Sequence, residues 1–256
     1  MLENLFFALY ISIIIQALFF AIAFTFKTDT VTDLSYGLTF IIITIYYYLT
    51  KSIQQLIPVL VTFLIIIWGL RLVIYLLTRI LKTKKDSRFD KIRGNFLKFA
   101  SFWLFQAIAI WIILLPALIT LNSTTTVSIN LIIIFGLIIW LLGFTIEAVA
   151  DQQKFQFKSD PKNKDRWITS GLWKYSRHPN YFGEMLVWWG IFIIAIPCLT
   201  SWLWLAIEGP IFITFILIFV SGIPPLEKRY DKKYANNTKY QDYKNKTSLL
   251  IPLPIK

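Results

Sequence analysis

The sequence is poor in cysteine, histidine and charged side chains. Its single cysteine, Cys198, excludes a disulfide framework and a thiolate metal site. Its single histidine, His178, excludes metal motifs that need two histidines, and we predict no metal site. Charged residues make up 16% of the chain, against roughly 25% in average proteins, whereas 57% are hydrophobic. This composition excludes an ordinary soluble protein and indicates that lipid is the solvent.

Seven apolar runs are candidates for crossing a bilayer, which takes about 20 mostly apolar residues. The predicted spans are 5–26, 34–49, 58–77, 99–121, 127–147, 181–199 and 202–220, followed by a tail over 221–256. The sequence therefore predicts an all-α membrane protein of about seven transmembrane helices. We expect one integral membrane domain over residues 1–256.

Lysine and arginine are concentrated in three segments, 79–98, 151–177 and 228–256, which hold 23 of the 26 basic residues. Seven spans place these segments on one side, and the positive-inside rule then puts the C-terminus in the cytoplasm and the N-terminus outside. One explanation for such a basic face is membrane topology together with attraction to anionic lipid headgroups. Another is a cofactor that carries phosphate groups. Nucleic acid is not an expected partner, because no recognition fold accompanies the charge.

The densest group of polar side chains reads SGLWKYSRHPNYFGE, at 170–184. Its proline predicts that a helix begins near Asn180, with Asn180 as the N-cap. The free amides of a helix start, beside Arg177 and His178, favour an anion. Glu184 lies one turn into the span, where a carboxylate is costly without a partner, so it is a functional candidate. The alternative is an interfacial loop whose charged side chains reach the membrane surface.

A second polar group, EAVADQQKFQFK, occupies 147–158 at the end of the fifth predicted span. Glu147 and Asp151 are four residues apart and share a helix face, with Lys154 and Lys158 close to it. Two such acids could hold ribose hydroxyls or organise arginines. The alternative is a set of ordinary solvated ion pairs at a helix end.

Two further groups lie in the second and third spans. Arg71 and Tyr75 are i,i+4 neighbours inside an apolar span, where an arginine needs an anionic or carbonyl partner. Asp33 and Tyr36 share a face at the start of span two. We place this pair at the end of the span away from the cofactor, and Asp33 is there either a functional acid or an interfacial one.

Together these blocks resemble the steroid 5α-reductase-like superfamily, specifically its bacterial-type branch. The resemblance runs from about Asp33 to Pro254, and it is carried by WGLRL, DSRFDKIR, ADQQKFQFK, GLWKYSRHPNYFGE and SGIPPLEKRY. Members of the superfamily are multi-span enzymes that use NADPH to reduce an activated carbon–carbon double bond in a lipid. The resemblance implies NADPH, a lipid-like substrate and an integral membrane location, in a bacterial inner membrane rather than the endoplasmic reticulum. We expect a monomer.

The resemblance also implies roles for single residues. Asn180 and Glu184 match residues that hold the nicotinamide end, while Glu147 and Asp151 match residues near the ribose and adenine. Together with the polar clusters, this gives the other predicted cofactor contacts: Arg71, Tyr75, Arg79, Lys154, Lys158, Arg166, Tyr175, Arg177, His178 and Tyr181. Of these, Lys158 and Arg166 fall near phosphate-binding positions.

The predicted catalytic residues are Asp33, Tyr36 and Glu184. Steroid-reducing relatives polarise the substrate ketone with a glutamate and a tyrosine from different spans. Trp68 stands at the position of that tyrosine here, so we assign the polarising role to Asp33 and Tyr36. The expected reaction is hydride transfer to the β-carbon of an enone, with a hydrogen bond to its oxygen as charge develops.

A membrane methyltransferase that uses S-adenosylmethionine is the alternative. Isoprenylcysteine and phospholipid methyltransferases carry a similar Arg-His-Pro-x-Tyr-x-Gly block, which RHPNYFG also matches. The ADQQKFQFK block and Asn180 favour the reductase. A transporter or scaffold would explain the spans but not the clustered acids and bases.

Overall fold

The computed structural model describes residues 1–28, 30–51, 53, 55–83, 92 and 94–254. The DSRFDKIR block, apart from Ile92, lies outside the described residues, and so do most of the bases in segment 79–98. In the described part of the chain the α-helices are α1 (Leu2–Thr25), α2 (Thr32–Thr50), α3 (Leu56–Thr83), α4 (Phe96–Leu121), α5 (Leu131–Ser159), α6 (Pro179–Ala195), α7 (Glu208–Phe215), α8 (Ile223–Lys233) and α9 (Thr238–Lys246). No strand occurs among these residues, and the predicted all-α class is confirmed.

Among the described residues, six helical stretches are long and apolar enough to cross a membrane. They are Leu2–Thr25, Leu56–Lys82, Phe96–Leu121, Leu131–Ser159, Pro179–Cys198 and Ser201–Lys233. The protein is therefore an integral, multi-pass membrane protein, as predicted, with one candidate span fewer than the seven expected. The difference is α2, a helix of 19 residues whose apolarity is lowered by Asp33 and by three consecutive tyrosines.

Two predicted spans differ from the observed helices. The fifth span was expected over 127–147, but α5 begins at Leu131 and continues to Ser159. The polar ADQQKFQFK block is therefore part of a continuous helix. The seventh span was expected as one helix over 202–220, but it consists of a 3₁₀ helix (Ser201–Ile207), α7 and a π-helix (Ile216–Val220).

The chain divides into two compact units, each made of two separate segments. The first unit comprises residues 1–134 and 191–209, and the second comprises 135–190 and 210–256. Within the first unit, α2 packs against α3 and α1 packs against α4. Gly37 and Gly69 let the antiparallel α2 and α3 approach closely, since a Cβ on Gly37 would lie 2.7 Å from Val73 Cγ2.

A buried polar cluster joins three helices of the first unit. Gln16 of α1 donates to Thr39 Oγ1 of α2 at 2.8 Å, and Gln106 of α4 donates to Gln16 Oε1 at 2.9 Å and to Ser35 Oγ at 3.0 Å. Polar side chains of this kind hold helices together in an apolar environment, because their hydrogen bonds have no competition from water.

In the second unit, α5 and α6 pack backbone against backbone. A Cβ on Gly143 would lie 2.7 Å from the carbonyl oxygen of Gly183, and one on Gly190 would lie 2.7 Å from the amide nitrogen of Trp140. Small residues at a helix interface allow this close approach in membrane proteins. The contact brings the polar end of α5 beside the first turns of α6.

Candidate functional site

Glu147 and Asp151 are buried on α5 in the second unit, with exposed fractions of only 3% and 5%. Acidic side chains are almost never buried to this degree without a role or a partner. The burial excludes solvated ion pairs at a helix end as an explanation for these two acids. The predicted i,i+4 relationship does place them on one helix.

The bases that follow these acids on α5 contact the segment between α5 and α6. Lys154 Nζ lies 4.4 Å from the centre of the Trp173 ring, and Trp173 in turn donates to the Ala150 carbonyl at 2.9 Å. Lys158 Nζ donates to the backbone carbonyl of Arg166 at 3.0 Å. The two predicted phosphate-binding residues, Lys158 and Arg166, are therefore neighbours within the second unit.

Helix α6 begins at Pro179, one residue before the predicted start. The carbonyl of His178 accepts the first helical hydrogen bond, from Phe182 N at 3.2 Å. The prediction of Asn180 as the N-cap is therefore wrong, and Asn180 is the second residue of the helix. The physical reason is that proline suits the first helical position, since its φ is preset and it has no N–H to satisfy.

Three buried polar atoms lie within the four residues Arg177, His178, Pro179 and Asn180. They are Arg177 Nε, His178 Nδ1 and Asn180 Oδ1, and none has a hydrogen-bond partner in the described part of the chain. Buried polar atoms in native proteins are nearly always hydrogen-bonded, so each exception calls for an explanation. A ligand that offers both hydrogen-bond donors and acceptors would explain all three.

Glu227 of α8 binds the two basic residues of this segment. One carboxylate oxygen forms an ion pair with Arg177, and the other lies 2.9 Å from His178 Nε2. Lys244 of α9 lies 3.9 Å from Glu227 and forms a 2.5 Å ion pair with Asp231. Glu227 was not among the predicted site residues; the only sequence signal for it was an acid in the SGIPPLEKRY block.

Burial of the His178 imidazole lowers its pKa below the ordinary value, and the nearby Lys154 charge acts in the same direction. The hydrogen bond to Glu227 acts against burial without overcoming it. The imidazole is therefore neutral near pH 7. The ring of Tyr181, another predicted contact, lies parallel to that of His178 at 5.7 Å between centres.

The C-terminal segment is attached to the residues that precede α6. Arg177 N donates to the Ser248 carbonyl at 2.9 Å, and Ser176 Oγ donates to the Leu250 carbonyl at 2.6 Å. These bonds connect the C-terminal segment to the two residues that precede His178. Tyr175, a predicted cofactor contact, has 42% of its surface exposed.

Glu184, a partly buried residue of α6, lies in the second unit. Five other predicted site residues lie in the first unit: Asp33, Tyr36, Arg71, Tyr75 and Arg79. Asp33 forms an ion pair with Arg79 of α3. The Arg71 guanidinium lies 5.8 Å from the centre of the Tyr75 ring. Tyr36 packs edge-on against Phe40 at 5.0 Å between ring centres.

The Asp33–Arg79 ion pair corrects the expected location of Asp33. The sequence predicts Asp33 at the end of span two away from the expected cofactor and the basic segments. It lies instead at the end where α3 leads into the basic segment 79–98. The reason is that α2 and α3 are consecutive antiparallel helices, so the start of one lies beside the end of the other.

Comparisons with known proteins agree with the resemblance drawn from the motifs. A family described as "Protein of unknown function (DUF1295)" matches residues 19–247. The chain is 27% identical over 117 residues to 3-oxo-5-alpha-steroid 4-dehydrogenase 1 of Rattus norvegicus, a match that covers 46% of this chain and 40% of that protein. No solved structure matches the chain significantly. Because the family match extends over most of its length, the protein belongs to the DUF1295 family, within the steroid 5α-reductase-like superfamily.

Proposed function

We propose that the protein is an NADPH-dependent membrane reductase that transfers a hydride to an activated carbon–carbon double bond of a lipid-like substrate. The observation that carries this proposal is the set of three buried, unpartnered polar atoms at Arg177, His178 and Asn180. They lie in the GLWKYSRHPNYFGE block, where the resemblance to the superfamily is strongest. The matched relative is named as a steroid dehydrogenase, which supports a reductase but leaves the substrate to this proposal.

The chemistry of these three atoms fits a nicotinamide dinucleotide. Arg177 Nε–H requires an acceptor, and Asn180 Oδ1 requires a donor. A dinucleotide offers amide, amino and hydroxyl donors together with phosphate and carbonyl acceptors. A purely apolar ligand would leave all three atoms unsatisfied, at a cost of about 1–3 kcal/mol each.

In the proposed complex, the second unit holds the dinucleotide. Asn180 and Glu184 bind the nicotinamide end, and the buried Glu147 and Asp151 accept hydrogen bonds from the ribose and adenine side. Lys158 and Arg166, which are neighbours, contact the phosphates. Arg71, Tyr75, Arg79, Lys154, Tyr175 and Tyr181 remain predicted contacts.

When bound, NADPH supplies the hydride. The chain itself must donate a hydrogen bond to the substrate carbonyl as negative charge develops on its oxygen. Asp33 is ion-paired with Arg79, and an ionised carboxylate accepts hydrogen bonds without donating any. Within the proposed pair, Tyr36 therefore donates the hydrogen bond to the substrate carbonyl, and Asp33 is the acid beside it. Glu184 is the third proposed catalytic residue.

Ligand binding to the purified protein in lipid nanodiscs tests the proposal. We expect NADPH to bind at micromolar or lower concentration and more tightly than NADH, because basic side chains attract its additional phosphate. Salt screens this attraction, so the affinity for NADPH should fall as the salt concentration rises. Arg166→Gln should reduce the preference for NADPH over NADH, whereas Lys51→Gln, at an exposed base of the first unit, should not. Binding of S-adenosylmethionine without any dinucleotide binding would show that the protein is a methyltransferase instead.

We also propose that the N-terminus lies outside and the C-terminus in the cytoplasm of a bacterial inner membrane, with the chain monomeric. The three basic segments support this orientation through the positive-inside rule. A reporter that is active only in the cytoplasm should be active when it is fused to the C-terminus. Activity of a C-terminal reporter that works only outside the cytoplasm would reject the proposed orientation.

A further inference from the structure

His178 is the only histidine of the chain, and its two ring nitrogens have different surroundings. Nε2 lies 2.9 Å from Glu227 Oε1. Nδ1 is buried and has no hydrogen-bond partner in the part of the chain that the structure describes. The residue as a whole is only 2% exposed.

The position of the imidazole proton follows from these contacts. Glu227 is ion-paired with Arg177, so its carboxylate oxygens accept hydrogen bonds and donate none. The proton of a neutral imidazole must therefore be on Nε2, where it is donated to Glu227. Nδ1 is then left with a lone pair and acts as an acceptor.

We propose that Glu227 is a positioning residue that fixes this tautomer of His178 and thereby presents Nδ1 as a hydrogen-bond acceptor for an N–H or O–H group of the bound ligand. Glu227 would not contact the ligand in this arrangement. The identity of the ligand as a dinucleotide rests on the proposed function. The assignment of the tautomer does not.

The surroundings of Glu227 keep its carboxylate in one orientation. Arg177 binds Oε2, so Oε1 is the oxygen left to face His178. Lys244 lies 3.9 Å from Oε2 and is itself held by Asp231. The charged groups that act on the histidine are Glu227, Lys154 and Arg177, and among the described residues Glu227 is the group that accepts from its ring.

Glutamine at position 227 makes a sharp test, because it exchanges one acceptor for a donor at nearly constant size. Arg177 donates only, so it would bind the amide oxygen and turn the amide NH₂ towards Nε2. Nε2 would then have to accept, and the proton would move to Nδ1. A ligand donor would meet an N–H there, and the affinity for NADPH should fall about tenfold, equivalent to about 1.4 kcal/mol.

The measurement is ¹⁵N NMR of the protein labelled only at histidine, in nanodiscs without ligand. Because the chain has one histidine, each ring nitrogen gives one signal. We expect a protonated Nε2 and an unprotonated Nδ1 in the wild-type protein, and the reverse in Glu227→Gln. Glu227→Asp keeps the carboxylate and should retain the wild-type pattern, as should the control Asp231→Asn. A protonated Nδ1 in the wild-type protein, or no change in Glu227→Gln, would overturn the role of Glu227.

Adding ligands separates this inference from the proposed function. NADPH should shift the Nδ1 signal while Nε2 stays protonated. A shift with S-adenosylmethionine and none with NADPH would support the role of Glu227 and overturn the reductase. If neither ligand shifts Nδ1, the acceptor role of His178 is overturned, even where the tautomer is as expected.

Discussion

Gly183 of α6 lies directly against the backbone of Glu147 in α5. A Cβ on residue 183 would be 2.5 Å from the Glu147 amide nitrogen and 2.8 Å from its Cβ, distances that real Cβ contacts do not reach. This contact allows a buried acid of one helix to lie beside the first turns of the next. Asn180 and Glu184 lie near Gly183 on that helix. The close approach that the glycine allows is therefore needed to bring these two residues near Glu147.

Gly183→Ala should therefore destabilise the protein, because the added methyl meets backbone that cannot move aside without separating α5 from α6. We expect a loss of about 1–3 kcal/mol, the usual range for overpacking, seen as a lower midpoint in thermal unfolding in detergent. Gly94→Ala is the matched control, since a Cβ there meets nothing within 4 Å. Equal midpoints for the two variants would contradict the close contact.

Asn180→Ala should weaken NADPH binding without lowering stability. Its Oδ1 is buried without a partner, so the truncation removes no hydrogen bond among the described residues. Loss of one ligand hydrogen bond of about 1.4 kcal/mol corresponds to about tenfold in affinity. Calorimetric titration and thermal unfolding on the same samples measure both effects.

Glu184→Gln should also reduce NADPH affinity or turnover while expression stays normal, because a carboxylate one turn into a span is costly without a function. Ligand titration and a turnover assay of the same preparation measure the two effects. Unchanged affinity and turnover in this variant would reduce Glu184 to a structural role, and the Asn180 result would then stand by itself.

Tyr36→Phe should lower kcat for an enone substrate and leave NADPH affinity nearly unchanged, because the proposed hydrogen bond to the carbonyl forms fully only as charge develops. Asp33→Asn should lower kcat less, since it breaks the ion pair with Arg79 and keeps the hydroxyl of Tyr36. Steady-state kinetics of both variants gives the comparison. Wild-type kcat in Tyr36→Phe would place the polarising group elsewhere, with Glu184 the next acid to change.

Stability should fall as the pH is lowered from about 7.5 to 5.5, and His178 should be the cause. Burial lowers the pKa of folded His178, while an unfolded histidine has a pKa of about 6.5. The unfolded state therefore binds more protons in this range, and stability that is complete above about pH 6.5 is lost as the pH falls towards the folded pKa. Unfolding midpoints of the wild-type protein should depend on pH more steeply than those of His178→Gln. Parallel curves would contradict a buried neutral imidazole.

Much of the molecule could be predicted from local features of the sequence. Composition and run length are enough to identify a multi-span helical membrane protein, because a bilayer requires apolar segments of a definite length. The i,i+4 spacing of Glu147 and Asp151 was enough to place both on one helix, since helical geometry depends only on near neighbours. The order of the motif blocks was enough to identify the superfamily.

Other features depend on which helices pack together, and local patterns do not encode this. Glu227 lies 49 residues along the chain from His178, and only the packing of the second unit brings it to the imidazole. The burial of Glu147 depends on Gly183, and the location of Asp33 beside Arg79 depends on the antiparallel pairing of α2 and α3. The sequence by itself determined the lipid solvent, the all-α class and the family, because each depends on composition, run length or local motifs. The tertiary structure alone decided which acids are buried and which ring nitrogen of His178 has no hydrogen-bond partner among the described residues, because both depend on contacts between residues far apart in the chain.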